Sequence, residues 1–239
     1  MLLLGIETAT DVCSVALLDG EALLAETSLF VPRSHAARLA PLIQEMLAHT
    51  GRTAADLDAI AVSAGPGSFT GLRIGASTAK GLAVAADAVL VAVPTLDALA
   101  QAAWPAPDPT PVLVTLPSRR GEVYGALYRP DVAGLVHARE AKALTLAEIK
   151  AWLPEEEALR LLGPGSSLVV EAAEQAGLAR TFDVPEASPS ATRVARLGRA
   201  RWEAGETENV AAWEPFYLKA FVAKPPRPIF GATAEREGR

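Results

Sequence analysis

The sequence predicts an α/β protein of two actin-like (ribonuclease H-like) lobes. Each lobe is a mixed β-sheet flanked by helices, and the second is shortened. Three observations predict this. Residues 1–103 read as three strands, a helix, a strand, a helix, a strand and a helix. Residues 104–111 place four prolines in eight positions, which marks a linker or stiff crossing. Beyond them the syntax restarts as three strands, a helix, a strand and a helix, a duplication of architecture without obvious repetition of sequence.

Each element has a local reason. Leu2–Ile6 is an apolar strand start, residues 7–11 a polar turn, and Val12–Leu18 a second strand. Asp19-Gly20 is a hairpin signal, and Glu21–Phe30 returns as a third strand. Ser34 is placed to cap a helix that runs to about Thr50, with Leu39, Ile43, Met46 and Leu47 on one face. Pro41 falls inside it and is expected to kink it. Leu57–Val62 is a strand, Leu72–Ala86 a helix, Val89–Val93 a strand, and Thr95 caps a helix through Ala103. In the second half, Val112–Leu116, Glu122–Tyr128 and Gly134–Leu144 are strands. Thr145 caps the helix Leu146–Leu153, Ala158–Leu162 is a strand, and Ser166 caps a helix to Gly177. Pro189-Ser190 opens a last helix, about 190–205, that is free to pack back on the first lobe. The lobes are thus expected at 1–103 and 112–221, with a Pro-rich, then charged, disordered tail over 222–239.

Composition excludes several functions. Half of the 239 residues are hydrophobic and only 5% aromatic, so a sizeable core must come mostly from Ala, Leu and Val. The net charge is −6 without an evident Lys/Arg run, which argues against nucleic-acid binding by this chain alone. The single Cys13 excludes internal disulfides and cysteine zinc sites and fits a reducing cytoplasm. The start lacks the pattern of a signal peptide, and no apolar run is long enough to span a membrane.

The most informative stretch is Gly65–Gly75, Gly-Pro-Gly-Ser-Phe-Thr-Gly-Leu-Arg-Ile-Gly, which holds four of the chain's 18 glycines. A strand, a glycine turn and a helix start converge there, which suits anions, while glycine also allows close backbone approach. A Walker loop is excluded, because Gly71 is followed by Leu72-Arg73 instead of Lys-Ser/Thr. The dinucleotide fingerprint fails because Thr70 occupies its third glycine position. The helix that follows has small or apolar residues on nearly every face, with Gly71, Gly75 and Ala79 in one row at spacing four. Either this helix is buried within its own domain, or one face packs on its sheet and the other on a partner. The second reading makes Gly71, Leu72, Arg73, Gly75, Ala76, Ala79 and Lys80 the expected partner contacts. It also predicts that Gly75→Leu leaves the fold intact and weakens association.

Two lobes of this syntax resemble the actin and sugar-kinase superfamily. The resemblance becomes specific in Gly5–Thr10, Pro32–Ile43, Gly65–Gly75, Gly121–Tyr124 and Pro215–Lys219, which together look like the TsaB (YeaZ) family from residue 2 to about 219. That resemblance implies a non-catalytic scaffold. It would bind a TsaD-type catalytic subunit and, with it, a TsaE-type ATPase, in making threonylcarbamoyladenosine next to the anticodon of tRNAs that read codons starting with A. It implies tRNA contact only through the complex, a homodimer when the chain is alone, and no cofactor in the isolated chain.

TsaD-type subunits hold a metal through a His-x-x-x-His pair, and here Thr95 and Leu99 stand where those histidines would be, so no metal site is expected. His35, His49 and His137 do not supply one. Glu7, Thr8 and Thr10, with Gly65, Gly67 and Ser68, are the candidate nucleotide or phosphate contacts of the first lobe; the alternative is that the turn uses them structurally. A rival function follows from them: a free-standing ATP-binding enzyme using Glu7, Thr8 and the Gly65–Gly75 loop. The second-lobe counterpart, Leu116–Gly121, has no glycine pair and no acidic residue. Pro117 stands where TsaB relatives often carry an acid, and Arg119 and Arg120 are available to a phosphate, an acidic partner or solvent. Ala61–Gly65 resembles a nucleophile elbow around Ser63, but the only downstream histidine, His137, falls in the other lobe.

Overall fold

Two five-stranded mixed sheets, of the same strand order, form the two halves of the molecule. The computed structural model describes residues 1–219 apart from 107, 133, 157, 179 and 180. The tail expected over 222–239, and the end of the second lobe at 220–221, lie outside the described residues.

In the first sheet β1 (Leu2–Glu7), β2 (Cys13–Asp19) and β3 (Ala22–Leu29) form an antiparallel meander. β4 (Ala59–Ser63) and β5 (Val89–Val93) extend it in parallel from the other side of β1, so the order is β3-β2-β1-β4-β5. In the second sheet β6 (Val112–Pro117), β7 (Glu122–Asp131) and β8 (Gly134–Thr145) form the meander. β9 (Ala158–Leu162) and β10 (Thr181–Asp183) run parallel to β6 on its other side, giving β10-β9-β6-β7-β8. β1 and β4 are buried throughout and apolar up to their last residues, Glu7 and Ser63, as strands covered on both faces must be. β10 corrects the sequence reading, which has no fifth strand here; three residues carry too little periodicity to be seen.

The helices are α1 (His35–His49), α2 (Phe69–Ala86), α3 (Thr95–Ala100), α4 (Leu146–Trp152), α5 (Ser166–Gln175) and α6 (Ala191–Glu203). α1 is helical across Pro41. One expected cap is real, since Thr145 forms a capping box with Glu148, and one was not expected, since Ser68 Oγ accepts the Gly71 N–H at 3.2 Å. Others differ. Ser34 donates to the Val31 carbonyl, and Ser166 donates to the Gly163 carbonyl, so neither side chain caps its helix.

α3 and α6 each follow the fifth strand of one sheet and pack on the other. α3 sets Leu96, Leu99 and Ala100 against Val112, Val114 and Leu116 of β6. α6 sets Val194 and Ala195 against Leu3, Ala61, Val91 and Val93 of the first sheet, where Ala98 of α3 joins them. The approach of α6 is close: a Cβ at Gly198 would lie 2.3 Å from Ala61 Cβ, and one at Gly5 would lie 2.4 Å from the Ala191 carbonyl oxygen. Glu26 of β3 fixes where α6 begins, accepting from Ser190 Oγ at 2.6 Å and from the Thr192 N–H at 3.2 Å. Burial raises this carboxyl, but those hydrogen bonds outweigh it and hold it below its ordinary value. Glu26→Ala is expected to cost about 1 kcal/mol of stability, read from urea midpoints at neutral pH. An unchanged midpoint contradicts the cap. Among the described residues no helix is long and apolar enough to cross a membrane.

Candidate functional site

A cleft of about 930 Å³ opens between the two sheets. Two copies of one tetrapeptide border it, each in part. Gly65-Pro66-Gly67-Ser68 follows β4 and leads into α2, and Gly163-Pro164-Gly165-Ser166 follows β9 and leads into α5. This repetition gives the duplication, read as one without obvious repetition of sequence, a short sequence trace: Gly-Pro-Gly-Ser after the fourth strand of each lobe. Gly67, Ser68, Gly163 and Ser166 line the cleft with Thr10 and Asp11 of the first hairpin and Leu116–Arg119 of the second-lobe turn. Phe30, Phe69, Tyr124, Val184, Phe216 and Tyr217 add an apolar and aromatic stretch of wall, and Glu186, Ser188 and Lys219 add polar groups.

The candidate phosphate contacts divide into two groups. Thr10, Gly67 and Ser68 reach the cleft, but Glu7, Thr8 and Gly65 do not line it. Glu7 is almost fully buried, and its Oε1 accepts the Ala9 N–H at 2.7 Å. Thr8 is fully buried; its N–H donates to Ser63 Oγ at 3.2 Å, and its hydroxyl faces α2. Gly65 lies behind Phe216, whose carbonyl oxygen would be 2.3 Å from a Cβ at that position. Ser68 already caps α2, and Thr10 Oγ1 accepts the Val12 N–H, so the first hairpin is held by its own polar groups.

Burial pushes the Glu7 carboxyl from 4.5 up to about 7, against the pull of hydrogen bonds from Ala9, Ser63 and Thr10. A carboxyl raised in the folded state makes folding weaker as pH rises from about 4.5 to about 7, because the unfolded chain releases that proton first. Glu7→Gln is therefore expected to stabilise the chain by roughly 1–3 kcal/mol above pH 7, and by little near pH 4.5. Urea midpoints of both proteins across that window check this; a loss of stability equal at every pH contradicts it.

The small-residue row also faces inward. Gly71, Leu72, Gly75, Ala76 and Ala79 are buried in their own lobe. A Cβ at Gly71 would lie 2.0 Å from the Thr8 carbonyl oxygen, and one at Gly75 would lie 2.2 Å from Thr8 Oγ1. Of the two readings kept open for this helix, burial within the domain holds for the row itself, which is not exposed to a partner. Lys80 is also engaged, donating to the carbonyls of Ala211 at 3.2 Å and Trp213 at 3.0 Å. Arg73 is exposed, with its guanidinium 5.4 Å from the Phe69 ring centroid. The outward face of α2 carries Thr70, Arg73, Ser77, Gly81, Val84 and Ala85, with Val84 74% exposed.

Thr95 and Leu99 are structural. Thr95 Oγ1 accepts the Gly65 N–H at 3.1 Å, and Leu99 belongs to the core of the second lobe. The histidines lie apart: His35 Nε2 is 3.1 Å from the Val12 carbonyl oxygen, His49 ends α1, and His137 Nε2 is 3.0 Å from Asp97 Oδ1. Ser63 is buried in β4 and His137 lies in β8, so no serine-hydrolase pair forms. Arg119 lines the cleft, while Pro117 and Arg120 are exposed. Sequence reasoning also passed over an arginine cluster in α6. Arg193 donates to the Ser188 carbonyl, Arg199 pairs with Glu21 and Glu203, and Arg201 pairs with Glu206.

Two duplicated lobes with an interlobe cleft define the class, a protein of the actin and sugar-kinase superfamily. A family model described as TsaD: tRNA N6-adenosine threonylcarbamoyltransferase matches residues 29–192. The tRNA threonylcarbamoyladenosine biosynthesis protein TsaB of Escherichia coli is 35% identical over 229 residues, covering 93% of this chain and 96% of that protein. TsaB of Bacillus subtilis is 29% identical over 94% of this chain and 96% of its own length. YeaZ from Pseudomonas aeruginosa superposes with a TM-score of 0.75 at 28% identity, over 91% of this chain and 99% of that one. The chain belongs to the TsaB family.

Proposed function

We propose that this chain is a non-catalytic scaffold subunit in tRNA threonylcarbamoyladenosine biosynthesis. It pairs with a TsaD-type catalytic subunit and, through that pair, with a TsaE-type ATPase, and it meets tRNA only in the complex. The cytoplasm is its place of work, where the complex meets tRNA. The observation that carries this reading is the fate of the positions that do chemistry elsewhere in the superfamily. Where a TsaD-type subunit has its two histidines, Thr95 bonds the glycine turn and Leu99 fills the core. The carboxylate that would serve a nucleotide, Glu7, is turned into its own lobe. The partner surface we assign is the outward face of α2, from Thr70 to Ala85, in place of the buried row.

The kinase-like rival makes the opposite demand. The isolated chain is expected to turn over ATP no faster than a buffer blank, while it co-purifies with a co-expressed TsaD-type subunit. ATP turnover above the blank that Glu7→Ala abolishes would overturn the scaffold reading. Failure to co-purify would overturn the partner assignment.

A further inference from the structure

A second, smaller cavity lies away from the cleft. It measures about 270 Å³ and is lined by Leu18, Glu21, Arg196 and Arg199, between the β2–β3 turn and the middle of α6. We propose that Arg196 and Arg199 bind a phosphate dianion in this cavity, and that the Glu21 carboxylate is the internal anion it displaces.

Charge is the first observation behind this assignment. Arg193, Arg196 and Arg199 recur every third residue, so they are neighbours along one side of α6, and like charges at that spacing repel. Burial lowers the Arg193 guanidinium from its ordinary value, Glu26 opposes this, and the Arg196 charge lowers it further. Unfilled hydrogen-bonding capacity is the second. Arg196 is exposed and makes no hydrogen bond or ion pair with a described residue. Arg199 Nε is buried without a hydrogen-bond partner, and the Glu203 Oε1 it faces is 3.8 Å away, beyond hydrogen-bond reach. A buried N–H left without an acceptor costs free energy, which an anion's oxygen recovers. The third is how lightly the present anion is held. Glu21 Oε1 lies 3.0 Å from Arg199 Nη2, but the Glu21 side chain is 86% exposed, so it loses little by turning into water. Glu26 does not compete for the cavity, because Ser190 and Thr192 occupy it. A phosphate carries about −1.5 to −2 at neutral pH, more than the single charge of a carboxylate or a phosphodiester. Its oxygens are spread widely enough to accept from two guanidinium forks at once.

The test titrates the full chain alone, so its outcome is independent of the scaffold reading. Arginine Nε–H signals are followed by NMR as sodium phosphate is added at constant ionic strength, with sodium chloride and sodium acetate as blanks. The Arg196 and Arg199 signals are expected to shift together and to saturate with phosphate only. Arg196→Gln is expected to weaken phosphate binding by about tenfold or more, and Glu21→Gln to tighten it by about threefold. Arg38→Gln, which removes an exposed arginine of α1, is expected to change nothing. Glycerol 3-phosphate separates the sources of the group. Binding of both probes assigns the cavity to phosphate monoesters as well, and binding of phosphate alone assigns it to the free anion. Shifts that rise linearly, that acetate reproduces, or that survive Arg196→Gln overturn the proposal. So does a Glu21→Gln protein of parental phosphate affinity, because Glu21 would then not stand where the anion binds. Arg196 and Glu21 are both exposed, and unchanged amide spectra confirm that their variants fold; where one does not, the parent titration decides.

Discussion

Gly71→Ala is expected to destabilise the chain by about 3 kcal/mol or more, a fall in Tm of roughly 6–12 °C or more for a domain of this size. The added methyl carbon would sit 2.0 Å from the Thr8 carbonyl oxygen. That oxygen belongs to backbone, and the Thr8 peptide is pinned on its other side by the N–H bond to Ser63 Oγ. Relief requires α2 to lift from the β1–β2 turn, which would strip contacts from Ala79 and Ala83 in the first core. Gly75→Ala is expected to cost less. The atom it meets, at 2.2 Å, is the Thr8 hydroxyl, a side-chain group that is able to rotate. Gly81→Ala is expected to stabilise by about 0.5–1 kcal/mol, because nothing lies within 4 Å of its Cβ position and glycine costs that much in a helix. Thermal unfolding of the three variants checks the order. Equal melting temperatures for Gly71→Ala and Gly81→Ala would mean that α2 does not rest on the first hairpin. The expectation from sequence that Gly75→Leu spares the fold is reversed by the same distances.

The fold was legible because its signals are local and repeated. Buried runs such as Leu2–Ile6 and Val89–Val93, the Asp19-Gly20 turn and the prolines of 104–111 mark where elements start and stop, and their order implies the lobes. What failed is of one kind. β10 and the packing of α3 on the second sheet depend on contacts between residues far apart in the chain. The glycine row illustrates the limit. Spacing of four identifies Gly71, Gly75 and Ala79 as one face of a helix, but a small-residue face serves a partner helix and a chain's own turn equally well. Thr8 decides between them, and nothing in the sequence ties Thr8 to Gly71. The Gly-Pro-Gly-Ser repeat, like the arginines of α6, was present in the sequence and unread.

Val84→Asp is the second large effect, and it is an effect on association. Val84 is 74% exposed on an outward helix face shared with Thr70, Arg73, Ser77, Gly81 and Ala85. A solvent-facing helix surface is ordinarily rich in charge, yet Arg73 is the only charged residue among these six. Such a face is short of charge and small enough at Ser77, Gly81 and Ala85 for another helix to come close. Burying a carboxylate there without a partner costs several kcal/mol, whereas the same carboxylate costs little on a free surface. Val84→Asp is thus expected to leave the melting temperature of the isolated chain within about 2 °C of the parent. It is expected to weaken binding to a TsaD-type subunit, or self-association, by at least about tenfold, a change of ~1.4 kcal/mol. Analytical ultracentrifugation reads the second and calorimetry the first. Gly71→Ala gives the opposite pattern, losing stability first. A Val84→Asp protein that binds at full affinity would move the partner surface off α2. One that unfolds would show that Val84 is covered within the chain.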